Sequence, residues 1–116
     1  MSLELGINLE NTRAQMRKGL LEYCILLVIS RQKAYASDII LALKQADLLV
    51  VEGTLYPLLS RLKNAGLLDY HWQESKSGPP RKYYELTTLG TGILKQLDGT
   101  WKNLQSSINA LRKARL

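Results

Sequence analysis

The sequence predicts a mainly α-helical fold with one small β-hairpin, closed by a long C-terminal helix. Three observations predict it. Leu55, Leu58, Leu59 and Leu62 recur at i, i+3, i+4 and i+7, which sets four leucines on one side of a short helix. Two runs of alternating side chains, about 68–73 and 81–87, flank the turn-forming stretch Ser75-Lys76-Ser77-Gly78-Pro79-Pro80. Beyond Thr88, residues Leu94, Leu97, Trp101, Leu104, Ile108 and Leu111 are spaced 3, 4, 3, 4 and 3, a heptad seam less than three heptads long.

The elements follow in order. Residues 1–10 show no helical stripe and read as a loose arm. From about Asn11 to Gln32 a long helix is expected, its buried stripe formed by Met16, Leu20, Cys24 and Leu27 and widened by Leu21, Ile25 and Val28. Arg31-Gln32-Lys33 breaks it. A second helix, about Ala36 to Ala46, turns Ile39, Ile40 and Leu43 inward and has Ser37 or Asp38 near its N-terminus. The apolar run Leu48 to Val51 is too short for a helix and reads as a brief strand.

The third helix follows, and Gly66 ends it as a C′ glycine. Opposite its leucines lie Gly53, Pro57, Ser60 and Asn64, edged by Tyr56 and Lys63 on one side and by Thr54 and Arg61 on the other. A small, mildly basic helix face of this kind is what a DNA major groove accepts. In the hairpin, Leu68, Tyr70 and Trp72 share the buried face of the first strand, and Lys82, Tyr84 and Leu86 alternate with Arg81, Tyr83 and Glu85 in the second. Two helices, a brief strand, a third helix and a hairpin make a winged helix-turn-helix, over residues 1–87. In the C-terminal helix, 88–116, Gly90, Gly92 and Gly99 each cost about 1 kcal/mol relative to Ala. A weak helix with an apolar seam needs a partner, so this element reads as a dimerisation helix.

Bulk properties narrow the function classes. The chain has 116 residues, 46% hydrophobic and 22% charged, the make-up of an ordinary globular domain. No apolar run approaches the ~18 residues of a membrane span, and no secretory signal opens the chain. The single cysteine, Cys24, excludes an intrachain disulfide and fits a reducing compartment, so a cytoplasmic protein is expected. The net charge of +6 suits an anionic partner, although it also serves solubility. Most of the excess lies in residues 88–116, with five basic groups against one acidic. A second excess lies at Lys76, Arg81 and Lys82. Enzyme chemistry is not expected: there is no phosphate-cradling glycine loop and no nucleophile with an identifiable base. One histidine, His71, and one cysteine cannot fill a tetrahedral metal site within a chain, and no cofactor is expected.

Three segments resemble the PadR family of winged-helix transcriptional regulators, in its short form with one C-terminal helix. They are Arg17-Lys18-Gly19-Leu20-Leu21-Glu22-Tyr23-Cys24-Ile25-Leu26 with Tyr35-Ala36-Ser37-Asp38-Ile39; Gly53-Thr54-Leu55-Tyr56-Pro57-Leu58-Leu59 with Arg61-Leu62 and Gly66-Leu67; and Arg81-Lys82-Tyr83-Tyr84-Glu85-Leu86-Thr87 with Gly90. The resemblance implies a homodimer that binds an inverted repeat in double-stranded DNA and represses transcription until an effector loosens it. Two positions depart from the family pattern. Ala36 stands where glycine is common, and the wing segment Gly78-Pro79-Pro80-Arg81 is richer in proline.

In such a fold the third helix offers its N-terminal half to base edges, while the second helix and the wing hold phosphates. Thr54, Tyr56, Ser60 and Arg61 are then the groove residues. Arg61 suits a bidentate bond to a guanine, or else a phosphate contact or a solvated charge. Tyr56 meets a phosphate or packs on the wing, and the resemblance favours the phosphate. Lys63, further along, suits the DNA backbone. Tyr35 and Ser37 can set a hydroxyl and backbone N–H groups on a phosphate, the plain alternative being that Tyr35 anchors the helix start. Lys76, Arg81 and Lys82 suit a wing lying along the backbone or minor groove, against the ordinary reading of a solvated hairpin. Trp101 sits mid-seam. In the multidrug-sensing branch of the family a tryptophan at the matching place stacks on flat aromatic effectors; otherwise Trp101 fills space between helices. The competing function is a winged-helix sensor or protein-interaction module that binds no DNA, against which the three wing cations count.

Overall fold

The computed structural model describes residues 8–115, so positions 1–7 of the expected arm lie outside it. Its elements are α1 (Leu9–Arg31), α2 (Ala36–Gln45), α3 (Glu52–Asn64), β1 (Leu68–Ser75), β2 (Gly78–Leu86) and α4 (Thr88–Lys113). The order is that of a winged helix-turn-helix with one long helix appended.

α1 starts earlier than expected because Asn8 caps it, its side-chain oxygen accepting the Asn11 N–H at 3.2 Å. Residues 9 and 10 are therefore helical. Of the expected stripe Leu21 and Ile25 are buried, joined by Leu26 and Ile29, and Cys24 and Val28 pack half-buried against the core, whereas Met16 and Leu27 are 70% and 37% exposed. The helix carries two apolar stripes, and the three-dimensional fold covers only one.

α2 begins at Tyr35, whose N–H donates to the Asp38 carboxylate at 2.9 Å, so Asp38 secures the start from the first turn. It ends in a Schellman motif: the Leu48 N–H donates to Leu43 O at 2.8 Å and the Asp47 N–H to Lys44 O at 3.0 Å, with Asp47 at φ 61°. This turn is why the run Leu48–Val51 forms no strand. Leu48 closes α2 and Val51 is the N-cap of α3, which leaves only Leu49 and Val50 between them to turn the chain. Only Val50 among them is buried. The strand pairing expected there comes from elsewhere, as Ala34 bridges to Tyr84 on the free edge of β2 with bonds of 3.0 and 2.8 Å.

α3 buries Leu55, Leu59 and Leu62, with Leu58 half-buried. A second Schellman motif closes it, with Leu67 bonded to Leu62 O at 3.0 Å and Gly66 at φ 82°, a backbone region open to glycine at no steric cost.

The hairpin is longer than its sequence suggested. β2 begins at Gly78, so Pro79 and Pro80 belong to the strand and the turn narrows to Lys76–Ser77. The pairing runs Gln73↔Arg81 and then Ser75↔Gly78, which sets the two prolines opposite Glu74 in a bulge where no ladder N–H is required. The expected burial of Trp72 does not occur. The hairpin outruns the core, so Leu68 and Tyr84 are buried while Trp72 is 61% exposed.

α4 is capped by Thr87, whose hydroxyl oxygen accepts the Gly90 N–H at 2.9 Å. Of its residues only Gly90 and Leu94 are buried, and 102–113 are exposed throughout. One bond ties the helix to α1: the Tyr23 hydroxyl donates to Asp98 Oδ1 at 2.5 Å. That bond, with burial and the Asp98 charge adding to it, pushes the Tyr23 phenol up to about 12. A pKa raised in the folded state stabilises fully below the ordinary value of 10 and less as pH climbs toward 12. Wild-type stability is therefore expected to fall between pH 10 and 12 in denaturant titrations, with a shallower fall in Tyr23→Phe. Equal slopes for the two proteins would exclude this contribution.

Candidate nucleic-acid interface

One shallow depression collects residues from three separate parts of the chain. Tyr35, Ala36 and Ser37 come from the start of α2, Glu52 and Tyr56 from the first two turns of α3, and Trp72, Pro80, Arg81 and Lys82 from the wing. Five of the ten residues assigned to DNA from sequence meet here: Tyr35, Ser37, Tyr56, Arg81 and Lys82.

Aromatic rings hold the cations in place. The Arg81 guanidinium lies 3.8 Å from the centroid of Tyr35, whose ring also packs on Tyr83 at 4.8 Å. Lys82 stands on the opposite face of the hairpin, its Nζ 4.4 Å from the Tyr70 centroid and 5.6 Å from that of Trp72. Lys63 reaches the same Tyr70 ring at 5.6 Å, so α3 and the wing converge on one aromatic group. A ring attracts a cation through its quadrupole without cancelling the charge, as a carboxylate would. Arg81, Lys82 and Lys63 form no ion pair among the described residues, so their charge stays available to an anion.

The other assigned residues lie around this depression. Ser60 is exposed in the middle of the outer face of α3, and Thr54 lies on the edge away from the wing, beside α1. Lys76 occupies the hairpin turn. Arg61 shares the Thr54 edge, and its guanidinium meets the Glu22 carboxylate of α1 at 2.7 Å. The Arg61 side chain is 72% exposed, and an ion pair so open to water is worth about 0–1 kcal/mol. A bidentate guanine contact is worth about 1–3 kcal/mol, so the pair can open in exchange for one.

Two residues of the depression escaped the sequence reading. Trp72 alternates correctly for a buried strand face, and only the length of the hairpin relative to the core exposes it. Glu52 reads as a helix-start signal, an acid in the first turn that favours the dipole. Nothing local shows that it faces the wing cations. Trp101 lies half-buried on α4, between the half-buried Leu97 and the exposed Leu104.

Comparison with known proteins gives consistent matches. A family model described as the transcriptional regulator PadR-like family matches residues 25–96. A PadR-like transcription factor from Bacteroides fragilis is 58% identical, covering 87% of this chain and 98% of its own, with a TM-score of 0.76. A PadR family transcriptional regulator from Eggerthella lenta is 29% identical, covering 92% and 94%, with a TM-score of 0.85. A PadR-like transcriptional regulator from Bacillus cereus is 34% identical, covering 87% and 99%, with a TM-score of 0.75. Among the described residues no helix is long and apolar enough to cross a membrane.

Proposed function

The chain belongs to the PadR-like family of transcriptional regulators, and from that premise we propose that it is a homodimeric repressor that binds an inverted repeat in duplex DNA. The observation carrying this reading is the convergence of Tyr35, Ser37, Tyr56, Arg81 and Lys82 beside the open face of α3. The outer face of α3 enters the major groove, with Thr54, Tyr56, Ser60 and Arg61 toward base edges. Tyr35 and Ser37 meet a phosphate at the start of α2, and Arg81, Lys82, Lys63 and Lys76 follow the backbone.

The dimer forms along α4. Its seam runs outward through Trp101, Leu104, Ile108 and Leu111, the last three 47%, 47% and 76% exposed, with Leu94 and Leu97 at its base. The displaced stripe of α1 supports this. Met16, Leu20, Tyr23 and Leu27 fall on one side of that helix, and Tyr23 bonds to Asp98 of α4. A partner that covers the α4 seam thus has a second apolar line beside it. Trp101 lies where an aromatic effector would enter between subunits, with cytoplasmic DNA as the target.

Binding to duplex DNA as salt is varied tests the proposal. Several phosphate contacts per subunit predict a log–log slope of order −6 to −10. Half-sites are expected about one helical turn apart, roughly 34–36 Å. Arg61→Ala is expected to lose about 1–3 kcal/mol and relax preference at one base position per half-site. A flat salt dependence sinks the DNA-binding reading; unchanged affinity and preference in Arg61→Ala sink the role of that residue alone.

A further inference from the structure

The edge of α3 away from the wing has its own cations. Arg17 and Lys18 of α1 line a surface depression together with Leu48, Leu49 and Thr54. Both basic residues are exposed, and neither forms an ion pair among the described residues. In the free protein the acids nearest to them on α1 pair with other cations, Glu10 with Arg13 at 2.8 Å and Glu22 with Arg61 at 2.7 Å. Asp47 and Glu52, at the two ends of the α2–α3 turn, pair with neither. The Glu22–Arg61 contact marks where α1 runs beside α3. With Glu22 beside Arg61, the residues one turn earlier on α1 stand beside Thr54.

A helix lying in a major groove has a phosphate row on each side, since the groove is only about 12 Å wide. The wing and the start of α2 both serve the Tyr56 edge. The Thr54 edge has no assigned phosphate contact. We propose that Arg17 and Lys18 form a second phosphate clamp, which holds the DNA strand opposite the wing. This rests on the DNA-binding reading and extends it to α1. In this arrangement Thr54 reads between two clamped strands, and each subunit grips both walls of its groove.

The test uses the full chain and a labelled duplex enriched from a random pool by the wild-type protein. The salt slope of Arg17→Gln/Lys18→Gln is expected to be shallower by about 0.9 for each lost cation in each subunit. Affinity for the enriched duplex and for an unrelated duplex should fall by the same factor, because phosphates carry no sequence information. The exchange Arg17→Lys/Lys18→Arg keeps both charges and should keep the wild-type slope. A double-glutamine variant with the wild-type slope overturns the clamp while leaving the DNA reading intact. So does an exchange variant that loses binding as the glutamine variant does, since that marks a structural role. A wild-type protein with no steep salt dependence overturns both.

Discussion

Replacing Gly90 by Ala is expected to destabilise the protein by about 3 kcal/mol and lower its Tm by roughly 12 °C. A Cβ at this position would lie 2.0 Å from the Leu67 carbonyl oxygen, 3.0 Å from its carbon and 3.3 Å from the Leu67 Cα. These are backbone atoms and cannot rotate aside. They also belong to the joint between hairpin and α4. Leu67 O accepts the Thr87 N–H at 3.1 Å, the Thr87 hydroxyl donates to Gly66 O at 2.6 Å, and the same hydroxyl oxygen caps α4 through Gly90. A methyl group therefore pushes apart the whole junction. Gly92→Ala is the matched control. Nothing lies within 4 Å of its added Cβ, so the better helix former should raise stability by about 0.5–1 kcal/mol. Thermal melts of the two variants should move in opposite directions. If both move upward, the close approach at Leu67 is not a constraint.

Leu104→Lys/Ile108→Lys is expected to convert the proposed dimer to a monomer and weaken binding to an inverted-repeat duplex by at least about 100-fold. Both side chains are 47% exposed and outside the core of a single chain, so the winged domain should keep its helical circular-dichroism spectrum. Two charges on a partnered apolar seam would each lose their water, a cost that no side chain opposite offsets. Two half-sites bound by one linked pair gain about 10²–10⁴ in avidity over a single one, and separation of the subunits forfeits that gain. Sedimentation should report the single-chain mass at micromolar concentration. A variant that keeps the wild-type mass and affinity would place the dimer interface elsewhere.

How much of this was legible in the sequence differs between elements. The spacing of Leu55, Leu58, Leu59 and Leu62 settled both the third helix and its inward face, because a single apolar stripe leaves one choice. Gly66 marked its end for an equally local reason, since the turn needs a positive φ there. α1 was different. Its two stripes, Met16–Leu20–Leu27 and Leu21–Ile25–Ile29, are similar in period and content. Which one faces the core depends on where α2, α3 and the hairpin stand, and no helical periodicity encodes that.

The candidate site divides in the same way. Residue type and place in the expected winged fold, with the family resemblance for Tyr56, singled out Tyr35, Ser37, Tyr56, Arg81 and Lys82 as cations and hydroxyls that could meet DNA. Their meeting in one depression required the chain to bring positions 35, 56 and 81 together. The stacking of Arg81 on Tyr35, the Arg61–Glu22 pair and the approach of Arg17 and Lys18 to Thr54 are likewise contacts between distant segments. By itself the sequence determined the four helices, the hairpin and which residues can face an anion, since those properties follow from local periodicity, capping and charge. Only the tertiary structure decided which apolar stripe is buried, that Ala34 rather than Leu48–Val51 extends the sheet, and why Gly90 admits no side chain. Each of these is set by the separation between backbones far apart in the chain, a quantity that no local pattern of side chains contains.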